Sequence, residues 1–318
     1  MDTSITKDIA YCQKLLRNNE LVAIPTETVY GLAANIFEAD AVRDIFKMKG
    51  RPLFNPLIVH IHNVNQLETL VEYVPKAAEV LMQNFWPGPL TLILPKKENV
   101  SDLITAGKST VGVRMPKHPV ARKLLEGLEF PLAAPSANPF TKVSPTSAEH
   151  VASYFGTKIP AILDGGPCEV GLESTIIGFE GDTPVVYRKG GVPIEAIEQL
   201  VGKVKLLTQD ENAPVAPGML LKHYSPNTKL IISEAVDEDI KKHANLSIGV
   251  ISFSKKDYQN VSVTKTLSKK RDMSEAAKHL FSALHQLDQM NLDLIIAEKF
   301  PEEGLGISIN DRLERAAY

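Results

Sequence analysis

Cysteine is almost absent. Only Cys12 and Cys168 occur in 318 residues, far apart and outside any CxxC pair, which excludes a disulfide framework and a cysteine-built zinc site. The eight histidines include no HExxH spacing, so a catalytic zinc of that kind is excluded as well. Long apolar runs are also missing, with nothing near the roughly 20 residues of a membrane span. The opening segment MDTSITKDIAYCQ lacks the basic stretch and apolar core of a secretion signal. A cytoplasmic location with no membrane partner is therefore expected. An excess of positive charge is missing too. Residues 1–205 carry 21 Lys and Arg against 22 Asp and Glu, and residues 206–318 carry 14 against 16. A domain that grips nucleic acid through phosphates shows a strong basic excess. Any cation cluster here must be local, which suits a small anionic ligand better than a duplex.

What is present is an α/β rhythm. Helical patterns at DIAYCQKLL, ADAVRDIFKMKG, VNQLETLVEYV, PKAAEVLMQNF, PVARKLLEGL and PIEAIEQLVG alternate with strand patterns at LVAIP, PLIVHI, PLTLILP, TVGVRMP, PLAAPSA, AILDGG, STIIGFE and PVVYRKGG. SPTSAEHVASYFG reads as a further helix, with Ser144 as its N-cap and Pro145 at its first position. The pattern predicts one α/β domain over residues 1–205, built on a mixed sheet. Residues 206–228 carry prolines and a glycine that break the rhythm and read as a linker. From 229 to 318 a smaller α/β domain is expected, with strands at KLIISE, IGVISF and LDLIIAEKF and a long helix at MSEAAKHLFSALHQLDQM.

The stretch FKMKGRPLFNP crowds Lys47, Lys49 and Arg51 into five residues at a helix end. No complete phosphate loop accompanies them. GKST at 107–110 resembles half of one, but the glycine required five residues earlier is Asp102. Five strands instead finish in small polar or cationic groups: IPTETVYGLAAN, VRMPKHP, APSANPFTKVSPT, GLESTII and VYRKGG. In open α/β sheets ligands settle at strand ends, where hydroxyl and backbone N–H groups hold phosphate oxygens and Lys or Arg supply charge. Each segment also has a plain structural reading. PTET can be a turn and helix cap, with Thr26 or Thr28 satisfying free N–H groups. Lys49 and Arg51 can be a solvated helix end, where the helix dipole favours cations. Arg114 and Arg188, inside or ending apolar strands, need anionic partners that a structural carboxylate would also provide. Ser136 and Asn138 follow a buried strand into a loop.

Taken together and in this order, PTETVYGLAAN, KGRPLFNPLIVHI, WPGPLTLIL, VRMPKHP, APSANPFTKVSPT, LESTII and YRKGG resemble the motif series of the YrdC-like family. The APGMLLKHYSPNT linker and the smaller C-terminal domain resemble that family's two-domain form, the threonylcarbamoyl-adenylate synthases. The resemblance covers the full chain. It implies a YrdC-like open twisted mixed sheet enclosing a cationic cavity, followed by a small Rossmann-like α/β domain. It implies that L-threonine, bicarbonate or CO2, and ATP with Mg2+ give threonylcarbamoyl-adenylate and pyrophosphate. A downstream transferase would place the threonylcarbamoyl group on tRNA, and direct contact of this chain with tRNA is left open.

By the same resemblance Lys49, Arg51, Asn55, Thr110, Ser136, Asn138, Ser144 and Arg188 would bind ATP, with His223, Tyr224 and Asn227 closing over it from the linker. Thr26, His60, Arg114 and Ser174 would line the threonine side. No protein nucleophile and no set of metal ligands is implied. The rival reading is an RNA-binding module of the same fold without adenylate synthesis, which the balanced charge opposes.

Overall fold

The computed structural model describes residues 4–207 and 223–318. Of the expected linker it therefore describes 206–207 and 223–228, and residues 208–222 lie outside the described residues. Eleven strands form one mixed sheet. Their spatial order is Ser4–Thr6, Ala161–Leu163, Val22–Ile24, Gly31–Asn35, Leu132–Ala133, Ile58–His60, Thr110–Arg114, Leu90–Pro95, Thr175–Glu180, Thr183–Arg188 and Lys205–Leu206. The short first strand, parallel to Ala161–Leu163, carries too few residues for a period to be read.

Side-chain alternation along the central strands divides the two faces. Val59, Leu90, Leu92, Leu94, Val111, Val113 and Ile177 point into the main core under the helices. Their neighbours Ile58, Ile93 and Ile176 form a small apolar cluster on the opposite face. Register puts Ile58 beside Gly112, and Gly112 beside Ile93, while His60 stands beside Arg114. That second face thus runs from an apolar strip to a cationic end, and a Cβ at Gly112 would press to 3.2 Å from Ile93.

Three helix readings are corrected. The VNQLETLVEYV helix is a 3-10 turn at Val64–Gln66 and a helical turn at Leu67–Leu70, after which Val71 is extended. The 144–156 helix begins at Ala148 and is capped by Ser147, whose hydroxyl accepts from the His150 N–H. Pro145 lies outside it because its carbonyl accepts the N–H of Tyr30 at 2.8 Å. The Ala39–Lys49 helix ends as expected at Gly50, at φ 61°. Its buried face is Ala41, Val42, Ile45, Phe46 and Lys49, so Lys49 continues the apolar stripe four residues after Ile45. Lys49 and Arg51 are 3% and 7% exposed, and the expectation of a solvated helix end is wrong for both.

A second sheet of four parallel strands follows, ordered Lys229–Ser233, Leu294–Glu298, Ile248–Ser252 and Val263–Thr266. The last strand and the Val236–Lys242 helix were not foreseen. The two sheets are joined by a shared core in which Val29, Val143 and Leu172 of the first domain pack with Tyr224, Leu280, Phe281, Leu284 and Leu313. The Met273–Asp288 helix lies so close that a Cβ at Gly171 would sit 2.5 Å from Cα of Lys278. No described helix is long and apolar enough to cross a membrane.

Candidate active site

The cationic end of the site face opens into a cavity of about 50 Å3, walled by Thr26, Thr28, His60, Arg114, Ser136, Glu173, Ser174, Arg188, Arg51, His223 and Tyr224. That is room for a few waters. Most of the walls lie next to strand ends, while Arg51 follows the Ala39–Lys49 helix and His223 and Tyr224 come from the segment before Lys229, and the turns are built from local chemistry. The Thr26 hydroxyl accepts the N–H of Val29 at 3.2 Å and donates to its carbonyl at 2.6 Å. The plain reading of PTET is therefore correct in its turn but not in its helix cap, because the strand Gly31–Asn35 follows, and the same turn also lines the cavity. The RKGG turn lies against the backbone of Glu173 and Ser174, where a Cβ at Gly190 would come within 2.4 Å of main-chain atoms. Only glycine fits there.

Arg114 finds its anion in the protein. Its guanidinium donates to Glu27 at 2.6 Å, to the Thr28 hydroxyl at 2.8 Å and to the Gly88 carbonyl at 3.2 Å. Glu27 also accepts the N–H of Lys117 at 3.1 Å. His60, against Arg114 in the next strand, is buried. Burial first and Arg114 second push its pKa down to about 3, so the ring is neutral near pH 7. Ser174 shares a 2.7 Å hydrogen bond with Thr91 and accepts from Arg188.

The other cations meet mainly neutral oxygen. Lys49 donates to the carbonyls of Ser136 and Asn138 at 2.6 and 2.5 Å, behind the loop that walls the cavity. Burial, and then Arg51, drive its pKa well below the ordinary lysine value. Arg51 donates to Asn55 Oδ1 and to the carbonyls of Asn55 and Pro56. Burial, and then Arg188, press against its charge. Ser144 donates to Glu173 at 2.6 Å. Eight buried side-chain polar atoms lack a hydrogen-bond partner among the described residues, and five of them belong to Asn55, Asn138, His223, Tyr224 and Ser225. Of these residues His223 and Tyr224 line the cavity, and because unsatisfied buried groups cost stability, these two are suited to a polar ligand.

Lys49, Asn55, Asn138 and Ser144 lie behind the wall rather than in it, and two expected residues stand farther away. Asn227 is exposed, bridging Lys142 and Asp288 at 2.5 and 2.9 Å. Thr110 opens the strand that Arg114 ends, on the same face but about 13 Å along it, beyond the apolar strip. Among the described residues, no group of three or more His, Cys, Asp or Glu side chains could hold a metal ion.

The family model described as telomere recombination, for the Sua5, YciO and YrdC proteins, matches residues 14–190, and the one described as threonylcarbamoyl-AMP synthase, C-terminal domain, matches residues 192–318. A threonylcarbamoyl-AMP synthase of Bacillus subtilis (strain 168) is 43% identical over 320 residues, spanning 97% of this chain and 92% of that protein. The chain belongs to the threonylcarbamoyl-AMP synthase family. A relative of the same name in Schizosaccharomyces pombe is 37% identical over 353 residues, spanning 95% of this chain and 86% of that protein. The crystal structure of P. abyssi Sua5 complexed with L-threonine matches with a TM-score of 0.92 at 43% identity, covering 97% of this chain and 94% of that one.

In this threonylcarbamoyl-AMP synthase family member both thiols are inert. Burial, with Asp8 adding to it, pushes Cys12 up to about 12, and burial, with Glu27 adding to it, also raises Cys168. The site's resources are fixed charge and positioned hydrogen bonds. Missing from the sequence reading was Arg312, fully buried on the Leu305–Ala317 helix and donating to Glu173 at 2.8 Å. Its signal was there: Ile309, Arg312, Leu313 and Ala316 share one buried helix face.

Buried neutral histidines are expected to make the fold sensitive to acid. His285, stacked on His150 at 3.9 Å, is lowered to about 4 by burial and then by His150. His60 and His285 thus bind protons in the unfolded chain below pH 6.5 but not in the folded one. Stability is fully present above that value and falls as the pH drops from 6.5 towards 4, by about 1.4 kcal/mol per pH unit per histidine. Urea midpoints at pH 7 and pH 5 measure this, and equal midpoints would refute it.

Proposed function

We propose that the chain condenses L-threonine, CO2 or bicarbonate, and ATP into threonylcarbamoyl-adenylate, releasing pyrophosphate. The reading is carried by the convergence of Arg51, Arg114 and Arg188 on one cavity with the unsatisfied polar atoms of His223 and Tyr224, with Lys49 bracing the Ser136–Asn138 loop behind it. The relative solved with L-threonine supports the amino acid. In the reaction the threonine amine adds to CO2 and loses a proton, giving a carbamate. A carbamate oxygen then bonds to the α-phosphorus of ATP as the bond to pyrophosphate breaks. No group of the protein need be covalently altered. Its contribution is orientation and stabilisation of charge in a poorly hydrated site.

Arg51, Arg188 and Lys49 are assigned to the phosphates, and Asn55, Ser136, Asn138 and Ser144 to hydrogen bonds around the nucleotide. The apolar strip of Ile58, Ile93 and Ile176, with Thr110 at its far end, suits the adenine ring. Thr26, His60, Arg114 and Ser174 are assigned to threonine. A neutral His60 can exchange a hydrogen bond with the substrate without storing its proton. His223 and Tyr224 are assigned to the closing wall over ATP, and Asn227 holds the end of that segment to Asp288.

Magnesium accompanies ATP, but the carboxylates at the cavity do not fit a protein-held ion. Glu27 is engaged by Arg114 and Glu173 by Arg312. Phosphate oxygens and water would hold the ion. The product would pass to a separate tRNA-modifying transferase in the cytoplasm. Pyrophosphate release by the purified chain tests the reading. It should require ATP, threonine and bicarbonate together and yield an adenylate of the expected mass. Release that ignores threonine would overturn it.

A further inference from the structure

Glu173 poses an electrostatic problem for the reading just given, on which this inference rests. It is a buried carboxylate in the wall of a cavity assigned to a polyphosphate, where its charge would repel the ligand. The counter-charge comes from the other domain. Arg312, on the Leu305–Ala317 helix, donates through Nε to Glu173 at 2.8 Å and through Nη2 to the carbonyl of Lys189, next to Arg188, at 2.9 Å. Its guanidinium lies 5.0 Å from the ring centre of Tyr224, and Asp311 secures Nη1 at 2.6 Å. The same helix fixes two more points of the wall. Ser308 donates to the Gly190 carbonyl at 3.0 Å, and the Arg315 carbonyl accepts the N–H of His223 at 3.2 Å.

We infer that Arg312 is a positioning residue of the nucleotide half of the site: it neutralises Glu173, so that a polyphosphate can occupy the cavity, and ties the RKGG turn and Tyr224 into the same frame. The C-terminal domain thereby completes the charge balance of a cavity whose described lining cations, Arg51, Arg114 and Arg188, come from the first domain. The threonine half depends on this link far less, because its cation Arg114 is neutralised locally by Glu27, and of the residues assigned to threonine Ser174 alone borders Glu173 and Arg188. Glu173 behaves as a carboxylate held charged: burial raises its pKa, but Arg312 and Arg188 outweigh that and leave it lowered.

The asymmetry between the two halves supplies the test. ATP and threonine binding are measured by calorimetry on the full chain and on Arg312→Met, Glu173→Gln and the double variant, with melting curves for each. Arg312→Met should weaken ATP by at least about tenfold and leave threonine within about twofold of the unaltered chain. Adding Glu173→Gln should recover most of the ATP affinity, since the repelling charge is gone. The double variant also removes the unpaired buried carboxylate that could keep Arg312→Met from folding. Equal weakening of both ligands, or no recovery in the double variant, would show Arg312 to be a structural brace and overturn the inference. A chain that binds ATP but makes no adenylate would sink the proposed reaction while leaving this test valid. Failure of the unaltered chain to bind ATP at all would sink both.

Discussion

Arg51→Ala is expected to lower ATP-dependent turnover by about 10²–10³-fold, the cost of deleting one preorganised charge from a dry site. The variant should remain folded, although not for the reason its sequence position suggests. Arg51 is buried, and its removal strands the carbonyls of Asn55 and Pro56, at a cost of about 1–3 kcal/mol. It also relieves the crowding of Arg51 against Arg188, which acts in the opposite direction. Steady-state turnover at saturating threonine, with a urea melt of the same preparation, separates the two. Full activity in Arg51→Ala would remove this residue from the phosphate clamp. Arg51→Lys should recover only part of the loss, because a lysine cannot span Asn55 and a phosphate together.

Arg114→Ala should be the most destructive single change in the first domain. It leaves Glu27, 3% exposed at the side chain, as an uncompensated buried charge, and breaking such a pair costs about 3–5 kcal/mol. Glu27 also carries the N–H of Lys117, so the turn after the strand should loosen with it. The double variant Arg114→Met with Glu27→Gln discriminates between scaffold and site. It should regain most of the lost stability, because no charge is left stranded, yet remain unable to bind threonine, because the guanidinium is gone. Recovery of threonine binding in the double variant would make Arg114 a scaffold residue only.

Much of the fold was legible because the central strands alternate strictly. VGVR and LTLIL send Val and Leu to one face and Gly, Thr, Ile and Arg to the other, which is the period-two signal itself. Shorter elements escaped. Three residues at Ser4–Thr6 carry too little pattern, and Val263–Thr266 is half-buried throughout, without a core face. The Ser144 cap was misread because two N-cap hydroxyls, Ser144 and Ser147, precede the same helix, and a tertiary contact from Tyr30 to the Pro145 carbonyl decided between them.

At the site the residue types were readable from the motifs, but their surroundings were not. Lys49 and Arg312 each lie on the apolar stripe of an amphipathic helix, and a charge on that stripe is the sequence mark of a buried cation. Local reasoning about a helix end concealed it in the first case. In the second, the partner lay 139 residues away in another domain, and no spacing rule connects such positions.

The small cavity behind His223 and Tyr224 has a thermodynamic consequence for any ligand as large as ATP. Its described volume has room for only a few waters, so if ATP enters only a wider form, its apparent affinity is the intrinsic affinity multiplied by the fraction of molecules in that form. If that fraction were about one in a hundred, the apparent dissociation constant would rise a hundredfold, a tax of about 2.7 kcal/mol. Threonine, once seated, could lift part of that tax by favouring the wider form, and the two substrates would then bind cooperatively without touching a common residue.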